Sequence, residues 1–234
     1  MKKIYTAFLF GFLSVSLLAQ KNPRKPTLGF GVQVVQPLGQ YGDTYDGYPA
    51  GFSGTFTGPI GRSPIEVGMG VAWNSMGSQN EEVMVSTGVF DSEGDEIVKA
   101  GKMKIGINNY RYTAIGRFKP FAGMIQPYGE VLAGFENYST RTVITMDDNP
   151  SSDARDRNVY QRDFGFVAGW AAGLRIEMIE GVMVEGRFEN LRGSEASYVD
   201  QESITIDDGH SISFDTKTSV TDKYAYTLGI AFRF

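Results

Sequence analysis

His210 is the chain's single histidine, and it stands beside Ser211 and Ser213, the residue types from which a general-base hydrolase would be built. Such a base must reach its nucleophile and be oriented by a third group. Adjacent side chains on a hairpin tip point to opposite faces, so His210 is badly placed to serve Ser211, and Ser213 shares that serine's face. No phosphate-binding glycine loop, zinc motif or nucleophile elbow occurs elsewhere. The chain therefore reads as non-enzymatic, with no catalytic or cofactor-binding residue and no cofactor. Carboxylates offer a second chemistry. Asp91, Glu93 and Asp95 surround Gly94 with the oxygen-rich character of a calcium loop, but the full twelve-residue pattern is missing. They stand as weak metal candidates, and a solvated acidic tip is the reading preferred.

A third set of charges is larger and more regular. Glu66, Arg111, Arg117, Glu130, Glu136, Arg175, Glu177, Glu185, Arg187, Glu189 and Arg233 all fall on one face of alternating segments whose other face is apolar. Side chains alternate between faces along a strand, so each segment has one face for an apolar phase and one for a polar space. The first strand alternates through Leu28, Phe30, Val32 and Val34, and a second runs from Ala50 to Gly58. A third carries Ile65, Val67, Met69, Val71 and Trp73 outward, and a fourth Tyr110, Tyr112 and Phe118. Val131, Ala133 and Phe135 mark a fifth, in which Leu132 faces inward; Phe164, Phe166, Trp170, Leu174 and Ile176 mark a sixth. After a tight Glu180-Gly181 turn come Val182, Val184 and Phe188, and the terminal segment makes eight.

Short connections near 59–64, 119–126 and 178–181 alternate with long polar ones, an asymmetry that a soluble sandwich has no reason to keep. An eight-stranded barrel is just wide enough for side chains to fill it. Buried charges must then be paired, because each otherwise costs several kcal/mol of desolvation. The near-balanced Arg/Glu set reads as a polar plug, with inward glycines leaving room for guanidinium groups. A proton or ion path is the alternative use of the same residues. Trp73, Tyr110, Tyr112, Trp170, Tyr224 and Tyr226 suit membrane interfaces, where an apolar ring and a polar edge are both satisfied.

Lys2 and Lys3 precede an apolar run from Ile4 to Leu18 and a polar stretch from Lys21, the order of a secretory signal peptide with cleavage after Ala19. Residues 1–19 are read as the signal peptide and 20–234 as one barrel domain. Mean hydropathy is −0.20, because inward polar residues cancel outward apolar ones. The absence of cysteine excludes disulfides and thiolate metal sites. A net charge of −5 argues against nucleic acid or an anionic surface as a partner held by charge.

The terminal segment carries the clearest family signal. Tyr224, Tyr226, Leu228, Ile230, Phe232 and Phe234 share one face, opposite Lys223, Ala225, Thr227, Gly229, Ala231 and Arg233. A closing strand of alternating aromatics ending in Phe resembles the assembly signal of bacterial outer-membrane β-barrels, and the chain is similar to the OmpA/OmpX-like β-barrel superfamily over nearly all of the expected mature chain. That resemblance implies an all-β, eight-stranded antiparallel up-and-down transmembrane barrel, a monomer in the outer membrane of a Gram-negative cell, with strands extended into outer loops. It also implies contact with outer-membrane lipid and with the barrel-assembly machinery, which would read Tyr226, Leu228, Ile230, Phe232 and Phe234. The implied role is envelope integrity, surface contact or adhesion, with a surface protein or glycan as ligand. A narrow channel for a small or hydrophobic solute, as in OmpW-like barrels, is the runner-up, and a lipid A-modifying enzyme, as in some similar barrels that use His and Ser, is a more remote reading.

The outer segments carry their own signals. Val83–Val98, Thr140–Tyr160 and Ser203–Phe214 alternate around turn chemistry and are expected to form protruding hairpins, whose edges can add a partner's strand or simply shield the surface. Tyr41, Tyr45 and Tyr48 lie among Gly and Asp; they are expected to pack over the barrel mouth, with stacking on sugars the alternative.

Overall fold

The computed structural model describes residues 25–45, 47–90, 94–146, 156–200, 203–206 and 212–234. The proposed signal peptide lies outside them. Eight strands close into one antiparallel barrel: β1 (Thr27–Pro37), β2 (Ala50–Pro59), β3 (Ile65–Phe90), β4 (Glu96–Phe118), β5 (Ile125–Met146), β6 (Asp156–Ile179), β7 (Val182–Gly193) and the last strand, β12 (Lys223–Arg233). Neighbours in sequence pair all round, and β12 completes the circle against β1 from Thr27↔Arg233 to Pro37↔Lys223. Closure leaves no unpaired edge within the cylinder, which lipid requires because it cannot hydrogen-bond backbone groups.

The connections at 60–64, 119–124 and 180–181 are short and share the end at which β1 begins and β12 stops. The tightest, Glu180-Gly181, works because Gly181 takes a φ of 81°, where a side chain would be strained. The opposite end is elaborate. β1, β2, β7 and β12 have 11, 10, 12 and 11 residues, enough to span a hydrocarbon layer when tilted. β3 to β6 have 26, 23, 22 and 24, so they continue roughly a dozen residues further, about 40 Å along the strand.

This rise is a four-stranded sheet, with pairing carried to Phe90↔Glu96 between β3 and β4 and to Ile144↔Asp156 between β5 and β6. The alternation near Val83–Val98 and Thr140–Tyr160 is thus a continuation of barrel strands. Pairing of β3 with β2 stops at Ala50↔Ser75, so β3 is an edge of the risen sheet. The Ser203–Phe214 hairpin is present as β9 (Thr205–Ile206) on β10 (Ile212–Ser213). Beside it lie two features that the sequence pattern does not announce: α1, a short helix at Gly39–Thr44, and a hairpin of β8 (Glu195–Val199) with β11 (Thr216–Val220).

The apolar faces point outward. Phe166 and Leu228 are each 68% exposed, and Phe30, Val67, Val131 and Phe232 lie in the same outer layer. Among the described residues no helix is long and apolar enough to cross a membrane.

Candidate functional site

The lumen gathers most of the inward charges into one network. Arg117, fully buried, lies 2.5 Å from Glu130 and 3.8 Å from both Glu66 and Glu185. Glu66 also pairs with Lys119 at 2.5 Å, and Glu185 with Arg175 at 2.9 Å. Glu130 reaches Arg187 at 2.7 Å, which continues to Glu189 at 3.0 Å and so to Arg111 at 2.6 Å. Of the two remaining predicted lumen acids, Glu136 pairs with Lys223 at 2.5 Å and accepts a hydrogen bond from Tyr138. Glu177 and Arg233 join each other at 2.5 Å but sit part-exposed at the short-turn rim. The sequence-derived set is therefore brought together, with that pair as its outer boundary.

Several members escaped the sequence reading. Lys119 follows the last residue of β4, where alternation gives no guidance; Lys223 is on the inward phase of β12, which was the available signal. Tyr128 lies between Arg117 and Arg175, whose guanidinium carbons are 4.2 and 5.4 Å from its ring centre, and it donates to Glu185. Its ring occupies space that Gly173 leaves: a Cβ there would come within 2.2 Å of the phenol. The glycine expected to accommodate a guanidinium accommodates an aromatic ring instead, and the ring holds the guanidiniums.

The expectation of an ionic interior is also corrected in part. Ile115, Leu132, Val167, Ala171 and Leu191 form an apolar cluster inside the wall built by β4 to β7. The void beside Gly29, Gly31, Glu185 and Arg187 measures about 10 Å³, room for no more than a water.

Over the long-strand end sits a second, conventional core. Tyr41 and Tyr45 of the α1 region pack on Tyr198 with ring centres 5.1 and 5.4 Å away, and Tyr41 lies 6.0 Å from Tyr138. Met76, Met103, Ile105 and Ile107, from the inner face of the risen sheet, complete this cluster with Val199 and Ile204. The Tyr45 hydroxyl donates to the Val199 carbonyl at 2.9 Å. Burial, and next the neighbouring Tyr198 and Asp200, raises its pKa well above the ordinary phenol value, so it stays a donor at neutral pH. Lys223 joins cap to lumen, with its ammonium 5.4 Å from the Tyr41 ring. Packing over the mouth is thus the arrangement of Tyr41 and Tyr45; Tyr48 is 67% exposed. Outside the cap, two shallow grooves of about 410 and 280 Å³ share Gln40 and Ser219.

Asp91 and Glu93 lie outside the described residues, as do His210 and Ser211; Asp95 follows the Gly94 bend, and Ser213 pairs with Thr205. Among the described residues no group of three or more His, Cys, Asp or Glu side chains is placed to hold a metal.

Outward aromatics form belts: Phe52 stacks on Trp73 at 6.0 Å, Trp73 pairs in register with Tyr110, and Trp170, Phe188 and Tyr226 touch in series. Strand order, an apolar exterior and a paired ionic interior together define an eight-stranded transmembrane β-barrel. The chain is similar to several solved structures of comparable size. Ail, the attachment invasion locus protein of Yersinia pestis, is 12% identical with a TM-score of 0.42, over 91% of this chain and 98% of that one. Neisserial surface protein A is 9% identical, TM-score 0.45, over 92% and 100%. The outer membrane protein OprG from Pseudomonas aeruginosa is 14% identical, TM-score 0.45, over 92% and 99%. No family model and no curated protein matches the chain.

Proposed function

We propose that this chain is a sealed, non-enzymatic barrel of the outer membrane that anchors a β-sheet platform at the cell surface for contact with a surface protein or glycan. The observation that carries the reading is the sorting of side chains: Arg117, Arg175 and Glu66 are inaccessible at the axis while Phe166 and Leu228 are outside. A sealed lumen leaves the risen part of β3 to β6, with β3 as an edge, as the surface through which the protein acts. A sheet edge recruits a partner strand through main-chain hydrogen bonds, and neighbouring side chains select it.

Cell fractionation tests the location: recovery with the outer membrane is expected, and a soluble periplasmic pool would refute it. Purified protein in a planar bilayer tests the seal, since discrete unitary currents would replace this reading with a channel. Overexpression is expected to leave lipid A mass unchanged; a change abolished by His210→Ala would make the barrel an enzyme.

A further inference from the structure

Charge on the outer wall of the risen sheet runs against the sign of the chain as a whole. Outward positions on β3 to β6 form rows in register: Trp73↔Tyr110↔Asn137↔Phe164, then Ser75↔Asn108↔Ser139↔Arg162, Ser78↔Gly106↔Arg141, and Asn80↔Lys104↔Val143. The first row belongs to the aromatic belt. Immediately above it the wall turns basic, with Arg162, Arg141 and Lys104 on three neighbouring strands and each one diagonal step, about 7–8 Å, from the next. Lys104 and Arg162 are exposed and make no ion pair among the described residues. Arg141 leans toward the Tyr110 ring, 6.0 Å from its centre, and its shielded Nε makes no hydrogen bond. Glu82 is the one acid among the described outward side chains of this wall, and it stands opposite Lys102 in register. Yet the net charge of the protein is −5.

Resting on the membrane reading above, we infer that Lys104, Arg141 and Arg162 form a docking surface for the phosphorylated headgroup of a lipid in the leaflet at the long-strand end. The position supplies the argument. Phe135, Tyr112, Phe164 and Phe166 lie on the apolar wall directly below, so acyl chains pack there and the attached headgroups meet the first basic rows. Guanidinium groups bind phosphate oxygens bidentately, and the ammonium adds a point charge. Cations at this level hold the barrel at a fixed depth and collect anionic lipid against one side of it.

The test uses the refolded full-length barrel in phosphatidylcholine vesicles with and without phosphatidic acid, followed by native mass spectrometry of retained lipid. Wild type is expected to keep phosphatidic acid in preference to phosphatidylcholine, and K104Q/R141Q/R162Q to lower that preference about tenfold or more. Arg192→Gln is expected to leave it unchanged, because that outward cation is already paired with Asp222 at 2.5 Å. Heat-modifiable gel migration verifies folding of each variant, and Lys104→Glu, a single change at an exposed position, must weaken retention even where the triple variant folds poorly. Equal preference in wild type and the folded variants overturns the inference. So does displacement of the lipid by inorganic phosphate at equal concentration, which would make the site one for the free anion. Failure of wild type to enter vesicles would remove the membrane reading itself, whereas insertion without preference removes only this docking surface.

Discussion

Replacing Glu130 by Gln changes one charge at the centre of the lumen while keeping its volume. Oε1 faces the Arg117 Nε at 2.5 Å and Oε2 faces Arg187 at 2.7 Å, with the side chain inaccessible. Within the connected network, Lys119, Arg117, Arg175, Arg187 and Arg111 face Glu66, Glu130, Glu185 and Glu189, so the swap raises the excess of bases from one to two. Breaking a buried pair costs about 3–5 kcal/mol because a charge is left uncompensated. Two features reduce this. The amide oxygen still accepts one hydrogen bond, and the bases keep other carboxylates, Glu189 at 3.0 Å from Arg187 and Glu66 and Glu185 at 3.8 Å from Arg117. A loss of about 2–4 kcal/mol is expected. The assay is guanidinium unfolding of the refolded barrel in micelles, followed by tryptophan fluorescence and heat-modifiable migration. Glu177→Gln provides the comparison: its partner Arg233 is part-exposed, so about 1 kcal/mol or less is at stake. Equal midpoints for the two variants would refute the claim that the lumen network is desolvated and mutually compensating. Replacing Glu130 and Arg117 together by apolar residues of similar size should recover much of the loss, since a well-packed apolar pair replaces a buried ionic one at little cost.

Three further outcomes follow from the same geometry. Gly173→Ala puts a Cβ within 2.2 Å of the Tyr128 phenol and is expected to destabilise by about 1–3 kcal/mol in the same unfolding assay, with part of the loss removed by Tyr128→Leu. Tyr45→Phe loses the hydrogen bond to the Val199 carbonyl, about 1 kcal/mol; because burial raises the native phenol's pKa, wild-type stability is complete below about pH 10 and falls as pH rises beyond it, a fall that the Phe variant should show less strongly. Phe234→Asp is expected to impair assembly, read as reduced folded yield and loss of heat-modifiable migration; unchanged yield would count against the closing strand as the segment that the assembly machinery reads.

Inside and outside were legible in the sequence because strand periodicity is strict. Once Phe232 and Phe234 are assigned to lipid, Arg233 must face inward, and the same parity places Arg117, Glu130, Arg175 and Glu185 on one surface. Partner choice was not legible. Arg187 bridges Glu130 and Glu189, the first of them on a strand two places round the barrel, and such a crossing depends on lumen diameter and on which neighbour yields space. Tyr128 shows the difficulty: its inward position is a matter of parity, but its role depends on the absent side chain of Gly173. The apolar cluster around Leu132 and Leu191 was legible only in part: parity turns Leu132 inward, but which inward apolar side chains meet depends on packing across neighbouring strands. Bulges at Ser75/Gly77 and Thr140/Arg141 shift that parity where the strands leave the barrel, so the faces of the risen sheet could not be extrapolated from below.

The cap and the lumen ions meet at Lys223, and this bears on the function proposed above. Lys223 forms an ion pair with Glu136, whose other partner is Tyr138, and the same ammonium lies against the rings of Tyr41 and Tyr138. Lifting α1 would uncover Tyr41 and Tyr45 while leaving Arg117, Arg175 and Arg187 in place across the lower lumen. Opening the lower network would strand several charges without water, a cost that grows with each pair broken. A solute would have to do both. The outer sheet needs neither step, because its edge and its basic wall lie at the surface already. On the surface-contact function proposed above, substitutions beyond Ser75 and Thr140 would reshape the contact face without disturbing the ion pairs packed inside the cylinder.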